Sequence, residues 1–294
     1  MQRATRIPIA GVHSPVYHVS DTSSTLDLAA SLLADTTTAT PHLTTVIADR
    51  QSAGRGRLGR TWTTPDGQAL LASTVVSLPT SFPTEMLGWL VHACALSVRD
   101  ALSPRLSPLG HTVSLKWPND VLVDRARKIC GILAQLAPAS SPFTTSAILG
   151  YGINIAQDRD HLATPQATSL YAEGDAEAGA DPTSVSHTLL AQILTGLDSR
   201  IRGLVAHGNA RDCGLADEAA IALPLLGTRI ALAKPTDPNG HPAMEGVALG
   251  LSPTGSLLVR TDDGRTHDIN AGDVLATGIP LTTVHDTKEK RANN

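Results

Sequence analysis

The sequence predicts an α+β protein with a mixed-sheet main domain followed by a small C-terminal β-barrel. Three observations lead there. Over residues 16–222, strand-like and helix-like segments follow one another without strict alternation, unlike a repeating βαβ unit. Two long segments, 84–102 and 185–208, carry apolar residues at helical spacing. From residue 223 onward, short apolar runs alternate with turn residues such as Asp263-Gly264, a pattern compatible with an SH3-like barrel of roughly 55 residues.

The elements read in order. Residues 1–15 show no periodic pattern and are expected to be disordered. "VYHV" (16–19) reads as a strand. The next stretch, "DTSSTLDLAASLLAD", reads as a helix capped by Ser23, Ser24 or Thr25. "TTVIAD" (44–49) and "ALLASTVVSL" (69–78) are β-branched and strand-like, with the Asp66-Gly67 turn between them. Residues 84–102 form a helix for which Thr84 is a plausible cap. Strands follow at 112–117, 120–124, 128–137 and 146–156. Residues 173–184 read as a polar loop, and 185–208 as a helix ended by Gly208. The domains are therefore expected at 16–222 and 223–280, with 281–294 a tail.

With 294 residues and 41% hydrophobic content, the chain can bury a substantial core. No apolar run reaches membrane-spanning length, and the N-terminus lacks the apolar stretch of a secretory signal. Cys94, Cys130 and Cys213 have no metal-ligand spacing and suit a reducing compartment, so a cytoplasmic, non-membrane protein is expected. A net charge of −4 disfavours a general nucleic-acid binder, and too few residues precede the first helical pattern for a DNA-reading module.

Against that acidic balance, "AGRGRLGRTW" (53–62) concentrates Arg55, Arg57 and Arg60 among Gly54, Gly56 and Gly59. Glycines let backbone N–H groups approach an anion, and guanidinium forks suit phosphate or carboxylate. The loop matches neither a P-loop nor a Rossmann turn. A solvated basic loop or an RNA contact is the plainer alternative. A second block, "LKWPNDVLVDRARKICGILAQL" (115–136), places Lys116, Asn119, Asp120 and Lys128 among apolar strands, around a bend stiffened by Pro118. Charges buried there are costly without partners or ligands; the plainer alternative is a hairpin with charged ends. A third block, "GYGIN" (150–154), puts Asn154 at a strand end, where a structural turn residue is the simplest reading.

Together, "SST" (23–25), "RQSAGRGRLGRTW" (50–62), "KWPNDVLV" (116–123), "KICGIL" (128–133) and "GYGIN" resemble the biotin protein ligase family from about residue 16 to 156. The C-terminal "EGVALGLSPTGSLLVRTDDG" is similar to that family's small SH3-like domain. The resemblance implies the mixed-sheet fold of biotin and lipoate ligases. It also implies conversion of biotin and ATP, with Mg²⁺, into biotinyl-5′-AMP and pyrophosphate. The biotinyl group would then pass to one lysine of a biotin carboxyl carrier domain of an acyl-CoA carboxylase. By resemblance, Ser24, Thr25, Gln51 and the backbone from Gly54 through Arg55 and Gly56 to Arg57 contact biotin, with Lys128 and Gly131 beside it. Arg55 and Arg57 would close over the intermediate and hold phosphate. Arg60 and Lys116 would face the ATP phosphates, and Trp62 the adenine. Asn119 and Asp120 would position ATP and its Mg²⁺, Lys128 the biotin carboxylate and α-phosphate, and Asn154 the adenylate. Lys128, Arg57 and Lys116 are thus the expected catalytic residues.

The chain departs from the family at three places. Leu26 stands where an Asn is frequent, "DRARK" is one residue longer than usual, and "GDVLATGIP" lacks an Arg found in many relatives, which questions the C-terminal domain's part in ATP binding. Without a DNA-reading module ahead of the first helix, a ligase without repressor activity is expected, as either monomer or homodimer. Lipoate ligation is the alternative chemistry, and an RNA- or anion-binding module the non-enzymatic alternative.

Overall fold

The computed structural model describes residues 4–35, 37–141, 144–233 and 242–279. Its larger sheet runs β1 (Thr5–Ile7), β2 (Val16–Thr22), β3 (Thr45–Gln51), β4 (Ala69–Pro79), then β8 (Thr144–Asn154), β7 (Arg127–Ser141), β6 (Asp120–Val123) and β5 (Val113–Lys116). Only β2 and β3 run parallel among these neighbours. The helix between them, α1 (Thr25–Ala34), is the crossover that a parallel pair requires.

The two faces of this sheet are covered differently. On one face α1 lays Leu26, Ala29 and Leu33 against Val46, Val75 and Ile148. On the other face lie α2 (Gly88–Leu106) and α4 (Pro182–His207), whose Leu90, Leu96, Leu189 and Ile193 share a core with Cys130, Ile132, Tyr151 and Ile153. Alternation along β8 therefore sends Tyr151 and Ile153 towards the α2/α4 layer and leaves Gly150 and Gly152 on the α1 face. A short helix, α3 (Ala176–Ala180), precedes α4, and α5 (Leu215–Ala222) leads out of the main domain. The second sheet, β9 (Arg229–Ala233), β10 (Pro242–Leu251), β11 (Leu257–Arg260), β12 (Thr266–Ile269) and β13 (Asp273–Ile279), has the order β12-β11-β10-β9-β13 and is antiparallel throughout.

Several expectations need correction. Within 1–15, β1 pairs Arg6 with Tyr17 and Ile7 with Val16, and Ile9 is 6% exposed in the core. Burial of that one side chain and the pairing onto the β2 edge order a segment whose own pattern is too short to read. Ser24 stands at the N-cap of α1 without a side-chain capping bond, and Thr84 begins a 3₁₀ turn instead of capping α2. Residues 173–184 are not all loop. Asp175 caps α3, and Asp181 accepts from the Ser184 N–H to cap α4, with Pro182 in its first turn. The tail expected at 281–294 lies outside the described residues. Among the described residues, no helix is long and apolar enough to cross a membrane.

The second sheet docks on the start of α2. Trp89 Nε1 donates to the Pro253 carbonyl at 2.8 Å, and His92 Nε2 donates to the Gly255 carbonyl at 2.9 Å. A Cβ on Gly88 would stand 2.7 Å from the Thr254 oxygen, so this approach requires glycine. His92 is 3% exposed, and burial holds its pKa below the ordinary histidine value despite the bond to Gly255. A histidine kept neutral in the fold takes up its proton only on unfolding. Its stabilisation is present above the unfolded pKa of about 6.5 and drains away as pH falls below it. Thermal melts at pH 7.5 and 5.5 should therefore show a larger loss for the native protein than for His92→Gln, which keeps a neutral donor. Equal losses in both proteins would contradict a neutral His92.

Candidate active site

A cavity of about 420 Å³ opens on the α1 face, at the end of the sheet where β7 and β8 meet the loop 53–62. Its floor is made of glycine. A Cβ on Gly152 would lie 2.6 Å from Trp62 Cε2, and one on Gly150 would lie 2.8 Å from Leu26 Cγ. A Cβ on Gly131 would lie 3.0 Å from Lys128 Nζ. Three positions that any larger residue would fill are thus left to a tryptophan, a leucine and a lysine.

One end of the cavity is polar and neutral. Gln51 Oε1 accepts from the Thr25 N–H at 2.8 Å and from Thr25 Oγ1 at 3.0 Å. Ser73 Oγ in turn donates to Thr25 Oγ1 at 2.8 Å. With its oxygen doubly engaged, the Gln51 amide presents its NH₂ donors towards the space beside Gly54. Ser24 is 1% exposed and completes this end.

The other end is cationic. The β5–β6 hairpin pairs Lys116 with Asp120 across the turn Trp117-Pro118-Asn119, whose Trp117–Pro118 peptide is cis. Asn119 Nδ2 donates to the Ile132 carbonyl at 2.7 Å, and the Ile132 N–H donates back to the Asn119 carbonyl, fixing the hairpin to β7. A bulge lies alongside: Val121 pairs with Cys130 but Leu122 pairs with Lys128. Lys128 and Gly131 are three residues apart, so regular alternation would put them on opposite faces. The extra residue, Ile129, lets Ile129 and Cys130 both enter the core while Lys128 and Gly131 both face the cavity. Lys128 Nζ then sits 2.7 Å from Asp120 Oδ1 and 5.5 Å from the centroid of the Trp62 ring.

The loop 53–62 folds back on itself. The Trp62 N–H donates to the Gly54 carbonyl, the Gly56 N–H donates to the Arg60 carbonyl, and Leu58 and Gly59 turn through positive φ. Its arginines reach three ways. Arg55 pairs with Asp27 of α1 at 2.6 Å. Arg57 donates to Asn119 Oδ1 at 3.2 Å and to the Gly272 carbonyl of the second sheet's domain at 3.3 Å. Arg60 pairs with Asp273 of β13. Burial pulls the Arg57 guanidinium below its ordinary pKa, against the charges of Asp273 and Asp120. Among the described residues, the cavity is thus lined by Arg55, Arg57, Arg60, Lys116 and Lys128 against two carboxylates, Asp120 and Asp273. It suits a ligand carrying several negative charges.

All the residues expected from the sequence line this cavity except Gly54. Gly54 acts behind it: its Cβ would stand 2.3 Å from the Trp62 carbonyl oxygen, so a side chain there would unfold the loop. Lys116, Asp120 and Lys128 are half-buried, less enclosed than their apolar neighbours suggest. Asn154, the last residue of β8, is buried with both amide ends engaged, Nδ2 donating to the Thr168 carbonyl at 2.9 Å and Oδ1 accepting from Gln157. Cys130 is fully buried and its thiol is pushed well up by burial, so it is no nucleophile. Sequence reasoning missed Ser73, which holds Thr25 from behind, and the lining residues Asp273, Ala163, Thr164 and Ala167. Asp273 stands in the "GDV" stretch and was legible as a position; nothing in "LATPQATSL" marks a binding wall.

Residues 20–154 match the biotin/lipoate A/B protein ligase family, and residues 236–275 match the biotin protein ligase C-terminal domain. The chain is 34% identical over 230 residues to the biotin--[acetyl-CoA-carboxylase] ligase of Mycobacterium tuberculosis, covering 78% of this chain and 77% of that protein. The chain belongs to the biotin protein ligase family. A second such ligase, from Paracoccus denitrificans, is 30% identical over 75% of this chain and 85% of its own length. The solved biotin protein ligase of Aquifex aeolicus in complex with biotin and ATP is 26% identical, with a TM-score of 0.60 over 88% of this chain and 97% of that one.

The glycine floor yields a direct check. Gly152→Ala should expel the Trp62 ring from its seat. Trp89 and Trp117 are only 1% and 2% exposed, so a red-shifted emission with unchanged far-UV dichroism would report Trp62. Unchanged emission would contradict the packing of Trp62 on Gly152.

Proposed function

We propose that the cavity binds biotin at its Thr25–Gln51 end and ATP at its Lys128–Arg57 end, and joins them as biotinyl-5′-AMP. The observation that carries this reading is that one cavity holds both ends, the Thr25–Gln51 pair and the Lys128 ammonium lining the same space. A ureido ring offers donors and a carbonyl, which the Ser24 hydroxyl and the oriented Gln51 amide complement. A carboxylate and a triphosphate repel each other, and the cationic lining offsets that repulsion.

In the first step a biotin carboxylate oxygen forms a bond to the α-phosphorus, and the bond to pyrophosphate breaks. Lys128 would bridge the carboxylate and the α-phosphate, and Arg57 and Lys116 would take up negative charge on the departing oxygens. In the second step the amine of a carrier lysine attacks the acyl carbon, AMP leaves, and the amine gives up a proton. The loop 53–62 would cover the mixed anhydride against water in between. Mg²⁺ fits as a phosphate-borne ion. Among the described residues no group of three His, Cys, Asp or Glu could hold a metal, but Asp120 offers the single carboxylate that a phosphate-bound Mg²⁺ needs. When bound, Mg²⁺ would neutralise phosphate charge. The relatives' names point to acetyl-CoA carboxylase as the protein they modify, and the acceptor proposed for this chain is a biotin carboxyl carrier domain of such a carboxylase. The three unpaired cysteines support a reducing, cytoplasmic setting.

Incubation with ATP, labelled biotin and a carrier domain should label one carrier lysine, with no transfer when lipoate replaces biotin. Absence of label, or preferential transfer of lipoate, would overturn the reading. Lys128→Ala should lower the rate of adenylate formation by about 10²–10³-fold, the scale of losing one charge-stabilising group, while leaving the melting temperature close to native. Retained adenylate formation would remove Lys128 from the chemistry.

A further inference from the structure

Behind the cationic end of the cavity lies a carboxylate that the reaction itself does not use. Glu173 is 2% exposed at its side chain, yet it meets groups from four segments. Arg127 Nε, at the start of β7, donates to its Oε1 at 2.6 Å and Arg127 Nη2 to its Oε2 at 2.9 Å, a two-pronged contact. Thr168 Oγ1 donates to Oε1. His111 Nε2 lies 3.4 Å from Oε2, and Arg159 Nη2 lies 4.0 Å away. Burial works to raise the Glu173 carboxyl, and Arg127, Thr168 and His111 outweigh it, so the group sits below its ordinary range and is ionised at neutral pH.

The partners of Glu173 connect directly to the site. Arg127 precedes Lys128 and also bonds Asp124 at 2.8 Å. Asp124 and Arg125 both have positive φ, an uncommon conformation for such residues, and Asp124 is held there by the Thr112 N–H, the Thr112 hydroxyl and His111. This is the "DRAR" turn, one residue longer than the usual family form. On the other side, the backbone of Thr168 donates to the Lys128 carbonyl at 2.8 Å, and Lys128 N–H donates to the Gln166 carbonyl at 2.7 Å. The Thr168 carbonyl receives Asn154 Nδ2. The segment 163–168, whose Ala163, Thr164 and Ala167 line the cavity, is therefore tied to Lys128 by two main-chain bonds, at Gln166 and Thr168, and Glu173 grips both Thr168 and Arg127, the residue before Lys128.

We propose that Glu173 is a positioning residue for the nucleotide end of the cavity: through Arg127 and Thr168 it clamps the segment 163–167 and the Lys128 backbone into one unit. The buried carboxylate is the joint at which β7 and this segment are locked together. Without it, the wall beside Lys128 is joined to β7 by two main-chain bonds at a bulged strand. The biotin end, built on α1, β3 and β4, does not touch the clamp. The assignment of the two ends rests on the reading in the preceding subsection.

The test uses Thr168→Val, which keeps the shape and removes the hydroxyl that holds Glu173, and Thr168→Ser, which keeps the hydroxyl. Glu173→Gln serves as the harsher companion, removing the charge at the joint. In steady-state kinetics, Thr168→Val and Glu173→Gln should each raise the KM for ATP by about tenfold, the size of one lost hydrogen bond to a charged group. The KM for biotin should stay within about twofold, and Thr168→Ser should restore the KM for ATP. In the ligand-free protein, hydrogen exchange at residues 163–168 should quicken in Thr168→Val, with β3 and β4 unchanged. A native KM for ATP in Thr168→Val, or native exchange at 163–168, overturns the clamp, as does an equal rise in both KM values. If the native protein forms no biotinyl adenylate, the preceding reading fails, and the exchange measurement still decides the clamp.

Discussion

The arrangement depends on one extra residue in a strand. The bulge at Ile129 allows β7 to send two consecutive apolar side chains, Ile129 and Cys130, into the α2/α4 core while Lys128 and Gly131 share the opposite face. Without it, the alternation of a regular strand would bury the lysine or expose Ile129. Burying an ammonium among Ile132, Tyr151 and Ile153 costs several kcal/mol, far more than the small loss of ladder bonds at a bulge. The core thus enforces the bulge, and the bulge aims the lysine.

The remaining site residues are arranged around that lysine. Glycine at 131 and 152 leaves room for Lys128 and for the Trp62 ring, over which the ammonium sits. Asp120, paired with Lys116 across the hairpin, places a counter-charge 2.7 Å from the half-buried Lys128 ammonium. Arg57 ties the hairpin, the loop 53–62 and the second sheet's domain together, because its fork reaches Asn119 and the Gly272 carbonyl at once. The C-terminal domain therefore contributes to the cavity wall in a chain that lacks the arginine many relatives carry after "GDV". What it brings is the Asp273 carboxylate, which holds Arg60 and neighbours Arg57. An incoming triphosphate would compete with that carboxylate for the same guanidinium groups.

Much of this was legible in the sequence. The short blocks "GRGRLGR", "KWPND" and "GYGIN" identify the cavity because each is a local device: glycines where backbone or ring must approach closely, cations beside them, and a proline-bent hairpin. The mixed sheet, the long helices and the antiparallel second domain followed from periodicity. What was hidden is non-local. The order of residues 5–9 comes from pairing with β2 and the burial of Ile9, which no pattern in a short N-terminal stretch announces. The role of Ser73 appears only when β4 is laid beside α1. Glu173 looks like one more acid in a polar stretch until Arg127, Thr168 and His111 converge on it. The bulge is equally silent, since "RKICGIL" reads as an unbroken strand.

A neutral, hydrogen-bonding end and a cationic end that carries Lys128 belong to one cavity. Calorimetric titration with a non-hydrolysable biotinyl-5′-AMP analogue tests it most directly. The account predicts one analogue bound per chain, at an affinity at least about a hundredfold above that of biotin alone, and competed by biotin and by ATP separately. Binding no tighter than biotin, or biotin and ATP each bound without displacing the analogue, would mean that the two ends are separate sites.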